Sequence, residues 1–248
     1  MKNYDVIVIG GGPAGVMTAY ELIEKKPSMK ILVLESGKDI YHRVCPISAG
    51  KVKSCIGCKP CSIMRGFGGA GAFSDGKYNF TTKFGGWLNE YLDDGEVMDL
   101  IEYVDKINMK HGAPAKVFTT KGSSLGKRAL EHDLHLLDAS VRHLGTENNL
   151  HMLESTYEYL KDKVEFRFEC PVAHIISNGK GDNAVELADG EQLAAKYLVV
   201  APGRAGAEWF SDECNRLGLE QENNRVDVGV RVRVPDEVWN DITSQVYE

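Results

Sequence analysis

The segment Val6-Ile7-Val8-Ile9-Gly10-Gly11-Gly12-Pro13-Ala14-Gly15 constrains the fold of this chain more than any other. Four consecutive apolar residues read as a strand buried on both faces, the pattern of a parallel sheet. Three glycines and a proline then break the run. Val16, Ala19, Tyr20 and Ile23 recur at helical spacing, and Pro27 marks the end of that helix. Ile31-Leu32-Val33-Leu34 reads as a second buried strand, closed by Glu35. Strand, glycine turn, helix and strand make a βαβ unit, whose crossover is expected to be right-handed.

The spacing Gly10-x-Gly12-x-x-Gly15 gives that unit a chemical reading. Gly10 permits the tight turn, Gly12 lets the backbone approach a diphosphate, and Gly15 lets the helix pack on the strand. Phosphates rest at such a helix start because its free N–H groups and dipole favour negative charge. Pro13 and Ala14 belong to the same turn. Glu35, twenty residues past Gly15, stands where a carboxylate accepts from ribose hydroxyls, and Ser36 follows it. An acid there suits either FAD or NAD and disfavours a 2′-phosphate.

Bulk properties remove other classes. The net charge of -7 argues against a nucleic-acid binder, which shows a basic face. The apolar runs 6–9, 31–34 and 198–201 are too short to span a membrane. Lys2 and the apolar run after it mimic a signal peptide, but Asp5 and the glycine turn fit a buried strand better. A cytoplasmic protein is therefore expected, in which cysteines serve as metal ligands or redox thiols rather than structural disulfides.

Residues 37–86 hold four of the six cysteines and ten glycines, with no long periodic run. Such a segment is functional or disordered, and Phe67, Phe73, Tyr78 and Phe80 argue for order. Helices are expected near 96–110, 126–140 and 147–162. Strands are expected at 164–168, 172–176, 184–188 and 196–201, with turns at 178–183 and 189–190. A helix to about Leu217, capped by Gly218, follows. Val226, Val228, Val230, Val232 and Val234 alternate with polar residues and glycine, the pattern of a half-buried strand stopped by Pro235. The expected class is α/β: a Rossmann-like FAD/NAD(P)-binding domain with a parallel sheet and a small antiparallel β-meander. Residues 1–86 and 164–217 would form it. A partial α+β substrate domain would take 87–163 and 218–248.

The opening motif resembles flavoproteins of the glutathione-reductase class. Three further stretches are similar to a bacterial family of FAD-dependent, or NAD(FAD)-utilising, dehydrogenases. They are Arg65-Gly66-Phe67-Gly68-Gly69-Ala70-Gly71-Ala72-Phe73-Ser74-Asp75-Gly76-Lys77, Arg142-His143-Leu144-Gly145-Thr146 and Asp227-Val228-Gly229-Val230-Arg231. The resemblance implies FAD, with adenosine on the βαβ unit and the flavin ring near the 65–77 loop. It implies contacts from Arg65, Gly68, Gly69 and Ala70, Val172 at the adenine, and Ala201 and Gly203 beside the cofactor. NAD(P)H as electron donor, a small-molecule substrate and an electron-transfer partner are compatible with it. It also implies a late glycine-rich strand and helix over the ribityl chain. None is found in the fourteen residues after Val234, so the substrate domain is expected to be incomplete.

Cys55-x-x-Cys58-x-x-Cys61, with Cys45 upstream, is the second chemical signal. Four soft ligands would suit a [4Fe–4S] cluster or zinc. A redox dithiol or packed free thiols are the other readings. For catalysis, Arg65, Lys77 and Arg204 sit beside glycine turns as candidate cations for a reduced flavin. Arg142 could hold a substrate carboxylate and His143 move a proton, although basic residues at a helix end explain the pair equally well. A flavoprotein oxidoreductase, an NAD-binding dehydrogenase and a non-catalytic FAD-binding or redox-sensing module all remain open at this stage.

Overall fold

The computed structural model describes residues 2–177, 183–223, 225–226 and 228–246. The expected turn at 178–183 lies, but for Asn183, outside them, as does Asp227. In chain order the elements are β1 (Lys2–Ile9), α1 (Pro13–Lys25), β2 (Ile31–Leu34), β3 (Lys77–Phe80), α2 (Asp94–Lys110), β4 (Phe118–Thr119), α3 (Leu125–Leu130), β5 (Ser140–His143) and α4 (Thr146–Leu160). There follow β6 (Glu165–Arg167), β7 (Val172–Ser177), β8 (Asn183–Leu187), β9 (Gln192–Val200), α5 (Ala207–Arg216) and α6 (Asp236–Thr243). They fall into two compact units, 1–74 with 153–222 and 75–152 with 223–248.

The first unit carries a six-stranded sheet in the order β6-β2-β1-β9-β8-β7. The ladders β6·β2, β2·β1 and β1·β9 are parallel, and β9-β8-β7 is an antiparallel meander. The expected parallel sheet with a small meander is thus what forms. All four residues of β2 are buried, as are Val6, Ile7, Val8 and Ile9, because both faces of a parallel sheet are covered. Helix α1 turns Gly15, Val16, Ala19, Tyr20 and Ile23 inward, the stripe that its spacing predicts. A second core patch joins Tyr4, Ile7, Leu32, Val185 and Leu193 to the partly buried Trp209 and Phe210 of α5.

Helix α5 also covers the edge strand β7, whose outward backbone groups would otherwise lack partners. Glu213, 3% exposed, accepts from Ile175 N at 2.7 Å and from His174 Nδ1 at 2.9 Å. Arg216 donates to Glu213 at 2.6 Å and also to Ile175 O. Trp209 Nε1 donates to Ala173 O at 2.9 Å. The Glu213 carboxyl is pulled down to about 2, chiefly by Arg216, with Ile175 N–H and His174 assisting against the opposing effect of burial. A depressed folded-state pKa means that this contribution is full above the ordinary carboxylate range and is lost as pH falls towards 2. Glu213→Gln is expected to lower stability by about 2 kcal/mol at pH 7 and to lose less than the parent between pH 4.5 and 2. Denaturant unfolding across that range is the measurement.

The second unit holds the antiparallel sheet β3-β5-β4. Helix α2 begins with a capping box, in which Asp93 accepts from Glu96 N and Glu96 accepts from Asp93 N. Two expectations change here. The helix expected at 126–140 is α3 alone: Leu130, Leu134, Leu136 and Leu137 are all exposed, so the segment buries no stripe, and Asp133 at φ 55 ends the helical path. The valine run is not a strand. Val226, Val228 and Val230 are 81–92% exposed, and no ladder partner stands beside them among the described residues. The division of the two compact units at 74 and 152 goes with the pairing of β3 with β5 and with the packing of Tyr157 on Phe67 and Phe166.

Candidate functional site

The first unit places the amino end of α1 between the ends of β1, β2 and β9. Gly10 has φ 106, and a Cβ on it would lie 2.2 Å from Ala201 O. A Cβ on Gly15 would lie 1.9 Å from Gly10 O. Both positions demand glycine so that the backbone can pack on itself. Gly12 differs: a Cβ there would meet only the Gly69 Cα, at 3.8 Å, and would otherwise project into open space. No side chain caps α1. The amides of its first turn, those of Ala14 and Gly15 included, have no acceptor within the helix.

A second glycine segment lies against this turn. Gly68 N donates to Gly11 O at 2.8 Å, and a Cβ on Gly69 would touch Gly12 Cα at 3.1 Å. Glu35 joins the two segments. Its Oε2 accepts from Gly11 N at 2.7 Å, and its Oε1 accepts from Gly37 N at 2.7 Å and Gly66 N at 3.0 Å. The Ser36 hydroxyl is 3.3 Å from the same Oε1. Sequence reasoning assigned Glu35 to a sugar alone. In the structure it fastens three backbone segments, and only Oε2 keeps much room for another donor. Nothing in the sequence spacing announces that fastening, because Gly66 is 31 residues away.

Between these segments lies a cavity of about 510 Å³, the size range of small-molecule sites. Of the residues singled out in the sequence, Gly10, Gly12, Pro13, Glu35, Ser36, Arg65, Gly69, Ala70, Val172, Ala201 and Gly203 line it. Ala14, Gly15 and Gly68 do not. Met64, Cys170, Pro171, Trp209 and the turn 202–206 line it as well. Sequence reading missed Trp209 because its indole comes from a helix 174 residues beyond Glu35. Burial raises the Cys170 thiol pKa, so it stays protonated at neutral pH. Arg65 bridges Ser36 Oγ (3.4 Å) and Ala205 O (2.8 Å), which puts it at the Glu35 end of the cavity.

The remaining candidates are arranged differently. Arg142 lies on β5, not at a helix end. It is 4% exposed, donates to both Asp105 oxygens at 2.6 and 2.7 Å, and also bonds Pro114 O. A guanidinium held in this way has no carboxylate fork left for a substrate, so the expected clamp is corrected to an internal tie between β5 and α2. His143 Nε2 is 3.6 Å from Asp75 Oδ2, and Lys77 Nζ is 3.2 Å from the same oxygen. Arg204 is exposed. The cysteines are not gathered. Cys45 and Cys61 each open a separate turn, accepting from Ala49 N and Arg65 N at 2.9 Å, and Cys55 is exposed. No group of three or more His, Cys, Asp or Glu suited to a metal occurs among the described residues. The expected cluster of Cys45, Cys55, Cys58 and Cys61 is therefore corrected: short spacing in sequence does not converge where the chain turns irregularly. No helix among the described residues is long and apolar enough to cross a membrane.

The fold and site together define a Rossmann-like α/β unit with a glycine-lined cavity at the amino end of its first helix. A family model described as lycopene cyclase protein matches residues 5–44, which contain most of β1 and all of α1 and β2. An uncharacterized protein of Clostridium beijerinckii is 25% identical over 234 residues, covering 94% of this chain and 37% of its own length. The mitochondrial L-2-hydroxyglutarate dehydrogenase of Homo sapiens is 36% identical over 62 residues, 25% of this chain and 13% of that protein. Glycine oxidase from Geobacillus kaustophilus superposes with a TM-score of 0.49 at 14% identity, over 89% of this chain and 60% of its own. The chain thus spans little more than a third of the Clostridium relative and a smaller share of the dehydrogenase.

Proposed function

We propose that the chain binds FAD in the cavity at the amino end of α1 and supplies the nucleotide-holding part of an FAD-dependent oxidoreductase acting on a small molecule. One observation carries this reading: Gly12, alone among the three glycines of the turn, needs no glycine for its own packing, yet a Cβ there would fill the cradle below α1. A diphosphate fits that place, because free amides and the helix dipole face it. Glu35 Oε2 and Ser36 would hold the adenosine ribose. Arg65 would lie over that ribose rather than at the flavin. Val172, Cys170 and Trp209 would form the apolar surroundings of the adenine. Gly69, Ala70 and Gly71 would follow the cofactor away from the diphosphate.

Bound flavin supplies two-electron redox chemistry, and the protein supplies orientation and electrostatics. The stretch shared with L-2-hydroxyglutarate dehydrogenase, an oxidoreductase by name, supports the class and not the substrate. Titration with FAD, ADP, FMN and NAD⁺, followed by flavin or intrinsic Trp fluorescence, tests the reading. FAD and ADP are expected to saturate one site, and FMN, which lacks the adenosine half, is expected not to bind. Absence of FAD binding, or preference for NAD⁺ over FAD, overturns it.

A further inference from the structure

Arg43 does not line the cavity, yet it is 4% exposed and makes its hydrogen bonds to one side of the second glycine segment. Its Nε donates to Ser62 O at 3.0 Å, its Nη2 to Ile63 O at 3.0 Å and its Nη1 to Phe67 O at 2.5 Å. The guanidinium carbon lies 4.8 Å from the Phe73 ring centroid. Among the described residues it forms no ion pair, although a buried charge without a counter-ion is costly. The three carbonyls and the ring face offset that cost. Burial lowers its pKa to about 10, with Glu35 and Cys61 opposing, so the group remains charged at neutral pH. The packing is close on both sides: a Cβ on Gly66 would lie 2.5 Å from Arg43 Cδ and 2.6 Å from Lys38 O.

Carbonyls gathered on one cation turn the opposite groups of the same backbone the other way. Phe67 O and Gly68 N share one peptide, so Gly68 N points away from Arg43 and reaches Gly11 O, while Gly66 N, whose own peptide carbonyl (Arg65 O) Arg43 does not hold, reaches Glu35 Oε1 in the same short segment. We infer that Arg43 is the positioning residue of the nucleotide site: its planar fork of donors fixes residues 62–67 so that the 66–69 backbone meets Glu35 and the first glycine turn. Lysine cannot replace it, because one ammonium does not span three carbonyls held in the plane of a fork. The consequence for ligand affinity rests on the FAD reading; the consequence for the loop does not.

The test is amide hydrogen exchange on the ligand-free chain, with ADP affinity measured alongside, for Arg43→Lys, Arg43→Met and Gly66→Ala. The last variant pushes the guanidinium away from the opposite side, and it serves if loss of the arginine prevents folding. Exchange at Gly66, Phe67 and Gly68 is expected to rise about tenfold or more in every folded variant, the equivalent of losing one charge-assisted hydrogen bond, while β1, β2 and β9 keep their protection. ADP affinity is expected to fall by a similar factor. Unchanged exchange at 66–68, or a rise shared equally by the central strands, overturns the assignment. A parent chain that binds no ADP defeats the FAD reading and leaves the exchange result to decide the role of Arg43.

Discussion

Glu35→Ala is expected to destabilise the first unit by about 3 kcal/mol and to weaken FAD binding by about 100-fold. The reason is the number of donors that its carboxylate holds. Gly11, Gly37 and Gly66 all direct N–H groups at a side chain that is 6% exposed, and alanine leaves all three buried without an acceptor. Glu35→Gln makes the sharper experiment. Its one oxygen can serve Gly37 and Gly66, but its NH₂ would then face Gly11 N–H, donor against donor. It should therefore lose much of what alanine loses, although its shape is nearly the same. If Glu35 met only a sugar, glutamine would leave the stability of the ligand-free chain unchanged. Denaturant midpoints of the three proteins without ligand separate these outcomes.

Gly12→Ala is expected to do the reverse, sparing the fold and removing the ligand. A Cβ at this position comes no closer than 3.8 Å to the rest of the protein, and the residue needs no positive φ. Loss of stability should stay below about 1 kcal/mol, the scale of a changed helix cap. The methyl group, however, occupies the space into which a diphosphate must settle to reach the helix amides, so FAD affinity should fall by about 100-fold. Gly15→Ala supplies the contrast. Its Cβ would overlap Gly10 O, and the ligand-free fold itself should suffer. Equal loss of stability in the two variants would show that Gly12, too, is present for packing.

Much of the first unit is legible in the sequence because its signals are local. The four-residue apolar runs of β1 and β2, the stripe Val16, Ala19, Tyr20 and Ile23, and the glycine turn each lie within a few residues, and the structure keeps them. What the sequence hides is contact over distance. Glu35 reaching Gly66, Arg43 gathering Phe67 O, and Trp209 arriving at the cavity from α5 depend on loops whose path no periodicity encodes. In the second unit local patterns mislead. Val226 to Val234 alternates as a strand would, but a strand needs a neighbour to share hydrogen bonds with, and alternation does not provide one. Arg142 looked like a helix-end cation, whereas its burial against Asp105 is a tertiary fact. The cysteine spacing suggested convergence that the irregular chain between Cys45 and Cys61 does not produce.

Amide chemical shifts of the isotope-labelled chain, recorded while ADP is titrated in, test most directly whether the start of α1 receives a diphosphate. Gly12, Ala14 and Gly15 should show the largest downfield movements, saturating together with Gly69, and Gly12→Ala should abolish them. Saturable binding that leaves those amides in place and perturbs another part of the chain would contradict the assignment of the cavity.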